Sequence, residues 1–233
     1  MEIFSVAIDG TAASGKSTVA RLLAQKLNCS YLDTGKLYRA LALDLLSRGH
    51  EDPAGWAKMD LGDHLRTVKI RLDTPPAGEC RIILHNVDVG HRLDDLKVEH
   101  ATPYAARLPE VREFLLDVQR DLAKRSSVVM AGRDIGTVVL PEATLKVFID
   151  ADLEERAQRR LAQHQDNFTK QELAEAAEAL RRRDEADKNR LLAPMSAAKD
   201  SVRLDSTNWS AEQLVEDIAH ILKSKIDGYL QEY

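Results

Sequence analysis

An α/β fold, with a five-stranded parallel sheet flanked by helices, is what the sequence predicts, and three observations carry that prediction. Five short apolar or β-branched runs recur along the chain, helical stretches lie between them, and a Gly-rich segment joins the first run directly to the first helical stretch. Strands separated by helices close into a parallel sheet whose faces the crossover helices cover.

The strand runs are Ile3 to Asp9, Cys29 to Leu32, Val128 to Ala131, Leu145 to Asp150 and Val202 to Asp205. Each is short and bounded by polar or turn-forming residues. Val19 to Leu27 is the first helical run. Three later helix starts are legible: in Asp152 to Glu155, Thr169 to Glu172 and Ser210 to Gln213 a capping residue precedes Glu or Gln by three positions, which satisfies free N–H groups of a first turn. Between Leu61 and Val89 the pattern changes to two strand-like runs, Thr67 to Asp73 and Cys80 to Val89, around the turn Pro75-Pro76-Ala77-Gly78. This predicts an antiparallel excursion inserted into the α/β frame.

With 233 residues and 44% apolar content, the chain supports one principal domain carrying a small insertion. A formal net charge of -5 supplies no global field for a polyanion, so nucleic acid is not the expected partner. The two cysteines, Cys29 and Cys80, have neither disulfide-framework nor zinc-site spacing. No apolar run reaches the length of a membrane helix, and Met1 to Ala7 does not resemble a signal peptide. The expectation is a cytoplasmic protein in a reducing compartment, away from the membrane.

The segment Gly10-Thr11-Ala12-Ala13-Ser14-Gly15-Lys16-Ser17 fits GxxxxGK[ST] in full, after a strand and before a helix. Glycines let the backbone wrap a phosphate chain, and the helix N-terminus adds its N–H groups to the same anion. Lys16 is placed to reach the β- and γ-phosphates of ATP, Ser17 to face Mg²⁺, and Thr18 to add a phosphate contact. Such a loop identifies a phosphate donor and leaves the acceptor open.

Two further segments fall at strand ends, where sheets of this type bind ligands. Leu32 to Arg39 holds Thr34 and Arg39; Arg grips a monophosphate in a bidentate fork, although a turn with a surface arginine gives the same letters. Ala131 to Thr137 holds Arg133 and Asp134. Asp134 suits an exocyclic amino group and Arg133 a phosphate or base, while an ion pair between the two is the competing account. The charge-dense stretch Arg181 to Arg190, taken alone, reads as a solvated helix face.

The ordered set GTAASGKST (10–18), LDTGKLYR (32–39), PEVREFL (109–115), GRDIGTVV (132–139) and RRDEADKNR (182–190), with strands inserted between, closely resembles bacterial-type cytidylate kinase from about Ile3 to Thr207. The resemblance implies the P-loop kinase fold: a single domain over 1–233, with a small β-containing acceptor-binding insertion at 36–105 and a helical lid at 156–192. It implies phosphoryl transfer from ATP with Mg²⁺ to CMP, with dCMP as a second acceptor, by a monomer. It also assigns residues. Thr34 and Arg39 would contact the monophosphate, Arg112 would aid nucleotide recognition, and Arg133 with Asp134 would grip the pyrimidine nucleotide. Asp187 would bind the sugar hydroxyls, and Arg183 and Arg190 would close over the phosphates, joining Lys16 as catalytic groups. Arg156 and Arg160 are left between a donor-side role and a solvated helix face.

Three departures from the family pattern stand out. Leu93-Asp94-Asp95 replaces the usual Ile-Arg-Thr, Lys36 replaces a small residue, and Pro103 replaces a Ser that often contacts the base. Proline offers neither hydroxyl nor N–H, which leaves Thr102 as the nearby hydroxyl. The rival readings are a kinase for UMP or another small phosphate acceptor and, in a different class, a nucleotide-binding regulator. A regulator has no reason to assemble a second phosphate pocket from Arg39, Arg133, Arg183 and Arg190.

Overall fold

The computed structural model describes residues 3–75, 77–163 and 165–229. Pro76, one residue of the expected turn, lies outside them, as do the ends of the 1–233 span. The main sheet is parallel and has the order β4-β2-β7-β1-β8-β9. Its strands are β1 (Ser5–Gly10), β2 (Ser30–Asp33), β4 (Gly78–Glu79), β7 (Val128–Gly132), β8 (Leu145–Asp150) and β9 (Val202–Asp205).

The sheet therefore has six strands where five were expected. The sixth, β4, is two residues long and starts at the last residue of the segment read as a turn, too short to give an alternation pattern. It pairs Ser30 with Gly78 and Tyr31 with Glu79, which docks the insertion onto the sheet edge. Strand boundaries also move: β1 begins at Ser5 rather than Ile3, and β2 runs on to Asp33.

The period of two along each strand sorts side chains into two cores. Val6 and Ile8 of β1, Tyr31 of β2 and Val129 and Ala131 of β7 face helices α1 (Lys16–Lys26) and α8 (Ala211–Tyr229). Ala7, Leu32, Val128 and Met130 face the opposite way, toward α2 (Thr34–Ser47) and α5 (Pro109–Arg125). The second core continues into the insertion, where Trp56, Leu65, Ile82, Leu93 and Val98 are all buried.

The insertion holds α3 (Gly62–Thr67), an antiparallel sheet of β3 (Ile70–Asp73), β5 (Arg81–Leu84) and β6 (Val87–Asp88), and α4 (Leu96–Ala105). Thr67 ends a helix rather than opening a strand. The run Cys80 to Val89 is a hairpin rather than one strand, because His85 and Asn86 take left-handed φ of 49° and 67°. Two consecutive left-handed residues suit a tight two-residue turn. The charge-dense stretch lies in α7 (Lys170–Lys188) up to Lys188, with Asn189 and Arg190 just beyond it; α7 packs on α6 (Leu153–Ala162) and starts at a full capping box between Thr169 and Glu172. Among the described residues no helix is long and apolar enough to cross a membrane.

Candidate active site

The phosphate loop leaves the carboxyl end of β1, at the middle of the sheet, between β7 and β8. Gly10 is required by close approach: a Cβ there would sit 2.0 Å from the Ile149 carbonyl oxygen. Ala13 and Gly15 both take left-handed φ, 59° and 80°, so the chain coils back on itself before α1. Gly15 is the N-cap of α1 and provides no side-chain acceptor, and no acid lies in the first turn. The positive end of an 11-residue helix thus opens toward the loop without an internal anion.

Neighbouring elements brace this loop. Thr11 Oγ1 donates to Asp150 at 2.6 Å, and Ser206 Oγ donates to the Ser14 carbonyl at 2.9 Å. Below it, Asp184 of α7 accepts the Ala12 N–H at 2.9 Å and pairs with Arg156 of α6 at 2.5 Å. Arg156 in turn donates to the Ala12 carbonyl at 3.0 Å. Arg156 and Asp184 are both buried, so Arg156 does not lie on a solvated helix face: it braces the phosphate loop on the donor side. Arg160 instead reaches across to Glu99 of α4 at 2.8 Å.

Lys16 is buried, and its ammonium donates to the loop's own Thr11 carbonyl at 2.8 Å. Burial first, then repulsion from Arg133, pulls its pKa well down. Arg183 is crowded by surrounding protein, though its side chain still reaches solvent, and this crowding followed by the charge of Arg133 lowers its pKa. Ser17 donates to Asp33 at 3.3 Å, which brings a hydroxyl and a carboxylate together at the head of α1. Thr18 is exposed on the same turn.

Arg133 and Asp134 do not pair with each other. Arg133 Nε donates to Asp187 at 2.9 Å, and Asp187 also binds Arg190 at 2.8 Å, so α7 and the chain beyond it are tied to the end of β7. Asp134 is paired with Arg112 of α5, whose guanidinium lies 5.6 Å from the centre of the Tyr38 ring. Burial pushes the Asp134 carboxyl up, against the pull of Arg112 and Arg190. The buried Nε of Arg190 has no hydrogen-bond partner among the described residues.

Thr34 Oγ1 is buried and donates to the Ala131 carbonyl at 3.0 Å, packed beneath Gly132. Arg39 points instead toward the insertion, where Asp94 holds it. Lys36, the other departure on α2, pairs with Glu79 at 2.5 Å. Pro103 lies within α4, and the hydroxyl of Thr102 donates to the Val98 carbonyl at 2.7 Å. Thr102 is thus committed to its own helix.

Sequence reasoning missed one residue that links the two loops. Asp9, buried at the end of β1, accepts the N–H groups of Ile135 and Gly136, each at 2.7 Å. These follow Asp134, so a single carboxylate joins the start of the phosphate loop to the Arg133–Asp134 turn. Burial, the largest influence, raises its pKa to about 6. A polar residue ending an apolar strand was the available signal.

A family model described as Cytidylate kinase matches residues 6–224. A cytidylate kinase from Limosilactobacillus reuteri (strain DSM 20016) is 40% identical over 223 residues, covering 95% of this chain and 96% of its own. One from Geobacillus kaustophilus (strain HTA426) is 40% identical over 225 residues, covering 95% of this chain and 97% of its own. Among solved structures, an uncharacterized protein from Eubacterium ventriosum ATCC 27560 aligns with a TM-score of 0.53 at 15% identity, over 96% of this chain and 99% of that one. That last likeness concerns the fold alone.

Proposed function

The chain belongs to the cytidylate kinase family, and from that premise we propose that it transfers the γ-phosphoryl group of ATP to CMP, with dCMP as a second acceptor. One observation of the site carries the reading: Lys16, Arg133 and Arg183 crowd their positive charges where the two loops meet. Cations held close at the cost of mutual repulsion suit a ligand pair that brings several negative charges at once.

The loop from Gly10 to Thr18 holds the donor. Backbone N–H groups at the head of α1 take the phosphates, and Lys16 swings from the Thr11 carbonyl to the β- and γ-oxygens. The hydroxyl of Ser17 and the carboxylate of Asp33 suit Mg²⁺, because a hard cation takes oxygen donors and shares them with phosphates and water. Bound there, the ion would neutralise charge on the transferring group.

The acceptor fits the other side. Arg39, Arg133 and Arg190 supply guanidinium donors for the monophosphate, beside Thr34. Asp134 and Arg112, held as a pair, present a carboxylate for the cytosine amino group and donors for its carbonyl edge. Asp187, positioned by Arg133 and Arg190, takes a sugar hydroxyl. A monophosphate oxygen is already nucleophilic at neutral pH, so in-line transfer needs neither a strong base nor a covalent intermediate. Positioning and electrostatics supply the rate. Closure of residues 156–192 over the insertion at 36–105 would exclude water and complete the charge balance with Arg183.

Coupled measurement of ADP release tests this reading. ADP should form rapidly with MgATP only when CMP or dCMP is present, with UMP a poorer acceptor in kcat/KM. Equal ADP formation without any acceptor would remove the kinase reading, and equal kcat/KM for UMP and CMP would remove the base-reading role of Asp134.

A further inference from the structure

Arg39 differs from the other cations of the site in the partner it keeps. Its Nη1 binds the carboxylate of Asp94 and approaches the Leu93 carbonyl at 3.4 Å. Asp94 is 78% exposed and Arg39 only 24%, so the carboxylate meets the guanidinium from the solvent side. Asp94 has no other hydrogen bond among the described residues. Its neighbours have local structural duties: Asp95 accepts the Lys97 N–H at 2.9 Å to cap α4, and Asp88 accepts the Gly90 N–H at 2.9 Å.

We propose that Asp94 occupies Arg39 in place of the acceptor's phosphate and must be displaced before the acceptor binds, so that it sets the affinity of the acceptor site. The proposal rests on the reading of Arg39 as a ligand of the acceptor phosphate. Displacement exchanges one anion for another. A carboxylate brings one charge and two oxygens; a phosphate monoester at neutral pH brings between one and a half and two charges and three terminal oxygens. The monoester therefore wins the arginine. Asp94 returns to water at small cost because most of it is there already. The consequence is an acceptor site weakened by one factor for every ligand that needs Arg39, set by competition rather than by an added contact.

The test is a double-mutant cycle read in steady-state kinetics. Asp94→Asn should lower the acceptor KM by about three- to fivefold, the worth of an exposed ion pair, while kcat and the ATP KM hold. The gain should shrink as salt screens the pair. Asp88→Asn, which removes the same charge from the same insertion, should leave the acceptor KM unchanged. In an Arg39→Ala background the Asp94→Asn gain should vanish. An acceptor KM that is unchanged or higher in Asp94→Asn, an equal gain in Asp88→Asn, or a gain that survives without Arg39 would each overturn the proposal. Arg39→Ala alone reports on the underlying reading: if it leaves the acceptor KM unchanged, the assignment of Arg39 fails, and a raised KM with a silent Asp94→Asn removes only the competition.

Discussion

At the scale of single residues, Lys16 and Arg39 separate the donor half of the site from the acceptor half. Lys16 is held in the protein with its charge disfavoured by burial, so its removal relieves a cost while deleting the main donor contact. Lys16→Ala should cut kcat by about 10³-fold, as loss of a transition-state charge does, with the urea midpoint unchanged or higher. Arg39→Lys retains the charge but loses the fork, and the acceptor KM should rise about tenfold with the ATP KM unchanged. The residues behind both predictions were legible because their chemistry demands fixed spacing, as in Gly10 to Ser17, or because they sit in a motif the family shares, as Arg39 does. Asp9, Asp33 and Asp184 were missed for the opposite reason. Each has a role set by a partner distant in sequence: 126 positions separate Asp9 from Ile135, 16 separate Asp33 from Ser17, and 172 separate Ala12 from Asp184. Spacing cannot announce a contact that only the closed sheet creates.

Elements show the same division between local and distant causes. The capping box at Thr169 and its counterpart at Ser210 are present, because a cap is settled within four residues. The strand β4 and the hairpin at His85-Asn86 were misjudged, since one draws its pairing from β2 and the other bends a run of apolar letters through backbone conformation. Helices α6 and α7 illustrate how a charged face can be buried. The sequence left Arg156 open between a donor-side role and a solvated face, and it meets Asp184 and the Ala12 carbonyl inside the protein. Removing one member of such a pair strands the other charge, which costs far more than an exposed pair is worth. Arg156→Met should therefore lower stability by about 3 to 5 kcal/mol in urea unfolding. Arg159→Met, which breaks the half-buried link to Glu155 and the Ser206 and Thr207 contacts without stranding a fully buried charge, should cost less. A loss of stability for Arg156→Met no greater than for Arg159→Met would mean that the phosphate loop is not anchored from below.

Across the whole molecule, the central sheet gathers both halves of the site at the carboxyl ends of β1, β2 and β7, and Asp9 sits where they join. Its carboxylate accepts one N–H with each oxygen, yet burial outweighs those two bonds and leaves its pKa at about 6, against 3.8 when unperturbed. A carboxyl whose folded pKa is raised favours the folded state most when protonated. Its contribution is complete below the unfolded value and disappears as pH rises through the folded one. The charged form thus costs the native state about 3 kcal/mol at neutral pH, relieved between about pH 6 and pH 4. Asp9→Asn cannot titrate and should lack this component. The stability of the natural chain relative to Asp9→Asn, from urea unfolding at a series of pH values, should therefore shift in favour of the natural chain by up to about 3 kcal/mol on going from pH 7 to pH 4. Other carboxylates titrate in both proteins and cancel in the difference. A difference that stays flat over that range, or moves the other way, would show that Asp9 is charged at little cost. The joint between the two loops would then be held by its hydrogen bonds without the strain of a buried charge.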